Sequence, residues 1–169
     1  NPAFAYPKSR FEPAALIDLR SSEERARLSP SALKGFFNIA QKWHLKDDEA
    51  RELLGSVSSS TYYEMKKNPS KTLDVDRITR VSYLIGIYKA LHVLYGDPLA
   101  DRWVKMPNTN TLFSGHSPLE LMMQGGIVAM QQVRALRIQG AAVFSRSSVG
   151  ANIASYILSS SNSNTVSNA

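Results

Sequence analysis

Residues 74–95 limit most strongly how this chain can fold. Their apolar members Ile78, Val81, Leu84, Ile85, Ile87, Tyr88, Leu91 and Leu94 recur at helical spacing. They cover more of the helix circumference than a single amphipathic stripe, so the helix predicts burial on two sides, against its own domain and against a second subunit. Asp74 or Asp76 is positioned to cap its start, and Gly96-Asp97-Pro98 breaks the pattern at its end. A helix covered in this way needs other helices around it.

The remaining sequence supplies them. Residues 1–28 read as an N-terminal extension, punctuated by Pro2, Pro7 and Pro13 and closing in a short helix over 14–28. Ser29 as N-cap and Pro30 at the first helical position predict a helix to about Trp43, with Leu33, Phe36, Phe37 and Ala40 at helical spacing. Asp47, Asp48 and Glu49 favour a helix start that Gly55 would stop, and Ser58 caps a second short helix through Lys67. After residue 96 comes a short helix to about Val104, then a loop over 105–116. Ser117-Pro118 opens a helix to Gln124, and Gly125-Gly126 makes a corner into a last helix reaching about Gln139. The stretch 151–158 (ANIASYIL) suits a short helix or a strand against a partner, and the Ser/Asn-rich end has no means of forming a core, so 149–169 is expected to be partly disordered. With no convincing strand or internal repeat, the predicted fold class is all-α.

Composition narrows the function classes. The chain has 169 residues, enough for one compact domain or two small ones sharing a core. No apolar run is long enough for a membrane span, and the first residues lack the apolar stretch of a signal peptide. The absence of cysteine excludes disulfides, thiolate metal sites and a cysteine nucleophile, so a cytoplasmic location is expected. His44, His92 and His116 are scattered and form no metal motif, and Gly125-Gly126 alone is no phosphate-binding loop. No catalytic residue, metal or cofactor is expected, and an enzyme reading has no constellation to rest on. The net charge of +6 suggests a polyanionic partner, provided a docking element exists.

That element is the pair of short helices over 47–67, whose proportions fit a helix-turn-helix. Ala50, Leu53, Leu54 and Val57 would pack inward, and the second helix would offer its N-terminal end to a major groove. The DNA-binding candidates are Ser58, Ser59, Ser60, Thr61, Tyr62 and Tyr63, whose hydroxyls suit base edges and phosphates, with Lys66, Lys67 and Lys71 placed to neutralise phosphates. No Arg, Asn or Gln precedes Asn68 in that helix, so reading would lean on hydroxyls, the two tyrosines and DNA shape.

The second half carries a more specific pattern: Trp103, Pro107-Asn108, Leu112, Gly115, Pro118-Leu119, Gly125-Gly126, Val133, and Leu136 through Gly140. In order and spacing this resembles the toxin-binding domain of the Xre/MbcA/ParS antitoxins, with Arg137-Ile138-Gln139-Gly140 somewhat compressed. The segment from Trp43 to Tyr62 resembles the Xre-like helix-turn-helix of the same family, and the likeness spans about residues 30–145. The fold it implies is an N-terminal Xre-like helix-turn-helix, 29–95, followed by a small helical toxin-binding domain, 96–148.

The resemblance also implies a function: binding and inhibition of a RES-domain toxin, an NAD-consuming or ADP-ribosyl-transferring enzyme, and repression of the operon by a homodimer on operator DNA. In the family the antitoxin's C-terminal part reaches the toxin's cleft. Here that part comprises Ala141, Val143, Phe144, Ser145, Arg146, Ser147 and Ser148, with Phe144 as an apolar anchor and Arg146 placed for a phosphate or an acidic catalytic residue. Trp103 and Leu119, by contrast, are expected to serve the core. A transcriptional regulator with a small-molecule-sensing C-terminal domain is the alternative, and it requires an enclosed polar-lined pocket there. A third possibility is an interaction module whose helix-turn-helix has lost DNA binding.

Overall fold

The computed structural model describes residues 17–108 and 110–140. Six helices lie within them: α1 (Ser22–Lys42), α2 (Asp47–Leu53), α3 (Ser59–Lys67), α4 (Val75–Tyr95), α5 (Asp97–Trp103) and α6 (Pro118–Gly140), with no strand among the described residues. Several starts follow the local chemistry that the sequence displays. Ser58 accepts a hydrogen bond from the Thr61 amide (3.2 Å), and Asp74 accepts one from the Arg77 amide (2.8 Å). Ser117 and Glu120 form a reciprocal box, the Glu120 amide donating to Ser117 Oγ and the Ser117 amide to the Glu120 carboxylate.

The first helix departs from expectation. Ser29 does not cap a new helix; α1 runs unbroken through Pro30 from an N-cap at Ser21. The reason lies in tertiary structure. Ser29 is fully buried, its hydroxyl donates to the Arg25 carbonyl (2.6 Å), and the same oxygen accepts the Leu73 amide (2.8 Å) from 44 residues away. Leu28, Ala32, Leu33, Phe36 and Ile39 continue one buried face across the proline, while Pro30 itself is exposed. Burial of that face offsets the amide hydrogen bond that proline cannot make. Replacing Ser29 with alanine strands the buried Leu73 amide, and chemical denaturation should register a loss of about 1–3 kcal/mol.

As the sequence predicts, α4 is the central element. It packs against α1 on one side and against α5 and α6 on others, and Ile78, Val81, Leu84, Ile85, Ile87 and Leu91 are fully buried. Both covering layers come from this chain, which leaves Val75, Val93 and Tyr95 as its exposed large apolar residues. The core is continuous from Leu28 in α1 to Val133 in α6 and includes Trp43, Tyr62 and Phe113. The helix-turn-helix and the C-terminal half therefore share one hydrophobic interior.

Two turns depend on backbone conformations at positive φ. Gly55, at φ +89°, and Ser56, at φ +57°, reverse the chain between α2 and α3. In α6 the helical run is interrupted at Gly126, whose φ of 60° and ψ of −141° belong to glycine alone. The Arg80 guanidinium, held by Asp76 at 2.8 Å, lies beside both positions: a Cβ at Gly55 would sit 3.1 Å from its Nε, and one at Gly126 3.5 Å from its Nη atoms.

Candidate functional site

At its N-terminal end α3 presents hydroxyls. Ser58, Ser59 and Ser60 are exposed, and Ser58 Oγ, besides capping the helix, lies 2.8 Å from Thr61 Oγ1 and 3.2 Å from Ser60 Oγ. Tyr63 is half-exposed at 50%, and Lys66, Lys67 and Lys71 are all at the surface. One residue of the expected reading face is not there. Tyr62 is buried to 2%, with its ring edge-on to Phe37 at 5.7 Å, so it serves the core rather than a DNA surface. Burial raises its phenol to about 12. The three-residue spacing of Tyr62 and Met65, both buried, is the sequence signal that separates this inward face from Tyr63.

A residue expected only to favour a helix start proves central. Asp47, at the first position of α2, reaches across to α3: Tyr63 donates its hydroxyl to Oδ2 at 2.6 Å, Tyr62 donates to Oδ1 at 3.3 Å, and Lys66 Nζ lies 3.7 Å from Oδ1. The Tyr63 hydrogen bond foremost, aided by the Lys66 charge, holds the Asp47 carboxyl below its ordinary value of 3.8. A carboxylate with a lowered folded-state value favours folding above its unfolded value and loses that effect as pH falls through the lowered one. The Asp47–Tyr63 contact is therefore expected to persist at neutral and mildly acidic pH and to open only below 3.8. Tyrosine ring chemical shifts followed through an acid titration would check this.

The local charge is less basic than the whole chain. Between residues 47 and 74, Asp47, Asp48, Glu49, Glu52, Glu64 and Asp74 outnumber Arg51, Lys66, Lys67 and Lys71. Lys71 also lies 3.4 Å from Glu64, and Arg51 spends its Nε on the Val57 carbonyl.

In the C-terminal half, Leu119 is buried to 3%, and Trp103 is half-buried with its ring edge-on to Phe113 at 6.0 Å. The loop between α5 and α6 is closed by the Asn108 amide donating to the His116 carbonyl and the Gly115 amide donating to the Asn108 carbonyl, both at 3.1 Å. Several large apolar residues are exposed from the end of α4 onward. Of seven among the described residues, Val93 and Tyr95 lie in the last turn of α4, and Leu99, Met106 and Val128 follow it in the chain. The expected toxin-contacting residues Ala141, Val143, Phe144, Ser145, Arg146, Ser147 and Ser148 lie outside the described residues.

Other chemistry is structural in kind. His92 lies with Nδ1 2.9 Å from the Tyr88 carbonyl and Nε2 3.1 Å from Asp101, while His116 lies 3.4 Å from Glu120. Among the described residues no three metal-ligating side chains converge. An open groove of about 790 Å³ runs between the end of α1 and α5, lined by Gln41, Lys42, His44, Pro98, Asp101 and Arg102. It is not the enclosed pocket that a small-molecule sensor would need. No described helix is long and apolar enough to cross a membrane.

Residues 22–86 match the antitoxin Xre-like helix-turn-helix domain, and residues 89–136 match the antitoxin Xre/MbcA/ParS C-terminal toxin-binding domain. The chain belongs to the Xre/MbcA/ParS antitoxin family. It is an antitoxin with a helix-turn-helix unit and a toxin-binding unit, and these are the two halves that α4 joins. The antitoxin is also 40% identical over 114 residues to the uncharacterized protein y4oB of Sinorhizobium fredii (strain NBRC 101917 / NGR234), covering 67% of this chain and 85% of that one. No solved structure matches the chain. The matched helix-turn-helix begins at residue 22, where α1 begins, and the matched toxin-binding domain ends at 136, ahead of residues 141–148.

Proposed function

We propose that this antitoxin silences a RES-domain toxin, an NAD-consuming or ADP-ribosyl-transferring enzyme, by covering its active site, and that a homodimer represses its own operon through α3. The observation that carries this reading is the union of the two family domains on one hydrophobic core. Toxin binding draws support from the match of residues 89–136 to the family's toxin-binding domain, at whose surface Val93, Tyr95, Leu99, Met106 and Val128 are exposed. DNA binding draws support from the exposed Ser58–Ser60 hydroxyls at the start of α3 and from Lys66 and Lys67 one to two turns on. The protein acts by binding, without catalysis or cofactor, in the cytoplasm.

Co-expression with a RES-domain toxin, sought in the neighbouring reading frame, tests the first activity. Deleting residues 141–169 should release toxicity while a promoter fragment is still shifted in a salt-dependent manner. If the truncated antitoxin still protects cells, residues 141–148 do not occupy the cleft, and the part of the chain before residue 141 is then sufficient. If the full-length antitoxin gives no protection against that toxin, the RES assignment is wrong.

A further inference from the structure

We infer that Asp47 is a positioning residue that fixes the Tyr63 oxygen as a hydrogen-bond acceptor on the reading face, so that Tyr63 selects base amino groups. This rests on the DNA-binding reading above and gives it a sequence preference. A tyrosine hydroxyl has one proton to give and lone pairs to receive. Against an ionised carboxylate the proton can go only one way, and at 2.6 Å it is committed to Asp47 Oδ2. The carboxylate is held from three directions, by Tyr63, Tyr62 and Lys66, so the orientation is set before any ligand arrives. Tyr63 remains half-exposed, and what its oxygen still offers outward is an acceptor.

That excludes most of what a duplex presents. Phosphate oxygens, guanine O6 and N7, thymine O4 and adenine N7 are themselves acceptors. The major-groove donors are the adenine N6 and cytosine N4 amino groups. Tyr63 sits at the fifth position of α3, within the part of a recognition helix that meets base edges. Lys66, three residues on and pinned to the same carboxylate, carries only donors and suits a guanine edge or a phosphate. The missing Arg, Asn and Gln are thus replaced by a tyrosine whose polarity an aspartate on the neighbouring helix dictates.

The test is selection from a duplex library with a randomised core, at one fixed salt concentration, using the full-length protein and the variants Tyr63→Phe, Asp47→Asn and Asp47→Ala. The wild type should favour adenine or cytosine over guanine or thymine at one position per half-site by on the order of tenfold. Y63F and D47A should lose that preference and D47N should weaken it, with melting curves reporting that each variant is folded. Ring-labelled tyrosine NMR gives a readout independent of DNA: the Tyr63 phenol, raised by its bond to Asp47, should titrate lower in D47A. The inference is overturned if the preference survives in Y63F and D47A, if the wild type favours guanine or thymine at the Tyr63-dependent position, or if the Tyr63 titration ignores Asp47. A wild type that enriches no sequence at all defeats the sequence-reading role of the helix-turn-helix itself, an outcome distinct from a preference that is present but independent of Tyr63.

Discussion

Replacing Trp43 with alanine is expected to remove about 3–5 kcal/mol of stability from this antitoxin. Trp43 is 1% exposed at the point where α1 gives way to the helix-turn-helix, and its ring lies 6.2 Å from that of Tyr88 on the central helix. Truncation opens a cavity between α1 and α4 that neither helix can close without leaving its other neighbours. Against a total stability of about 5–15 kcal/mol for a domain of this kind, such a loss takes much of the margin. Thermal melting and urea titration should agree, and Trp43→Phe, which keeps most of the ring volume, should cost clearly less. Equal costs for phenylalanine and alanine would mean that Trp43 does not pack as described.

The second large effect belongs to the corner in α6. Gly126→Ala should cost about 1–3 kcal/mol from backbone strain alone, because φ 60°, ψ −141° is not open to a residue with a side chain. The new methyl itself meets only ordinary contact, at 3.5 Å from the Arg80 guanidinium. Gly125→Ala should cost about as much for a different reason: its Cβ would lie 2.6 Å from Ala129 Cβ, and overpacking of that kind costs about 1–3 kcal/mol. The two substitutions can be told apart. At Gly125 the conflict is with one methyl, so Ala129→Gly should relieve it, whereas no neighbouring truncation should rescue Gly126→Ala. Denaturation midpoints of the four variants provide the comparison, and rescue of Gly126→Ala by Ala129→Gly would contradict the assignment. Because the corner aims the last helix of the toxin-binding half, Gly126→Ala is also expected to weaken protection from toxin beyond what its stability loss explains.

Much of this architecture was legible because it is written locally. Ser58, Asp74 and Ser117 advertise their caps through residues three positions away, the glycine pair announces the corner, and the breadth of apolar residues over 74–95 marks the central helix. The departures come from contacts that no local window contains. Ser29-Pro30 reads as a helix start, yet the Ser29 hydroxyl answers Leu73 from 44 residues away. Asp47 reads as dipole stabilisation, yet its carboxylate serves two tyrosines 15 and 16 residues on. Tyr62 and Tyr63 are adjacent in sequence yet one is buried and the other exposed, since consecutive helical positions point about 100° apart. The net charge of +6 suggests a polyanionic partner, yet between residues 47 and 74, around α2 and α3, the carboxylates outnumber the cations. The toxin-binding half was identified from Trp103, Leu119 and the glycines, residues that build the fold; the surface they support was not visible in the pattern.

The interior running unbroken from Leu28 to Val133 has a consequence for the life of the molecule in a cell. Two functions that share one core share one unfolding equilibrium, so neither half can be lost without the other. A partner held at one end stabilises the opposite end by mass action, without any change of shape passing between them. A protease that captures the opened chain removes the helix-turn-helix unit and the toxin-binding unit in a single event. The supply of both activities then rises and falls together, tied to how much of the chain is bound at any moment.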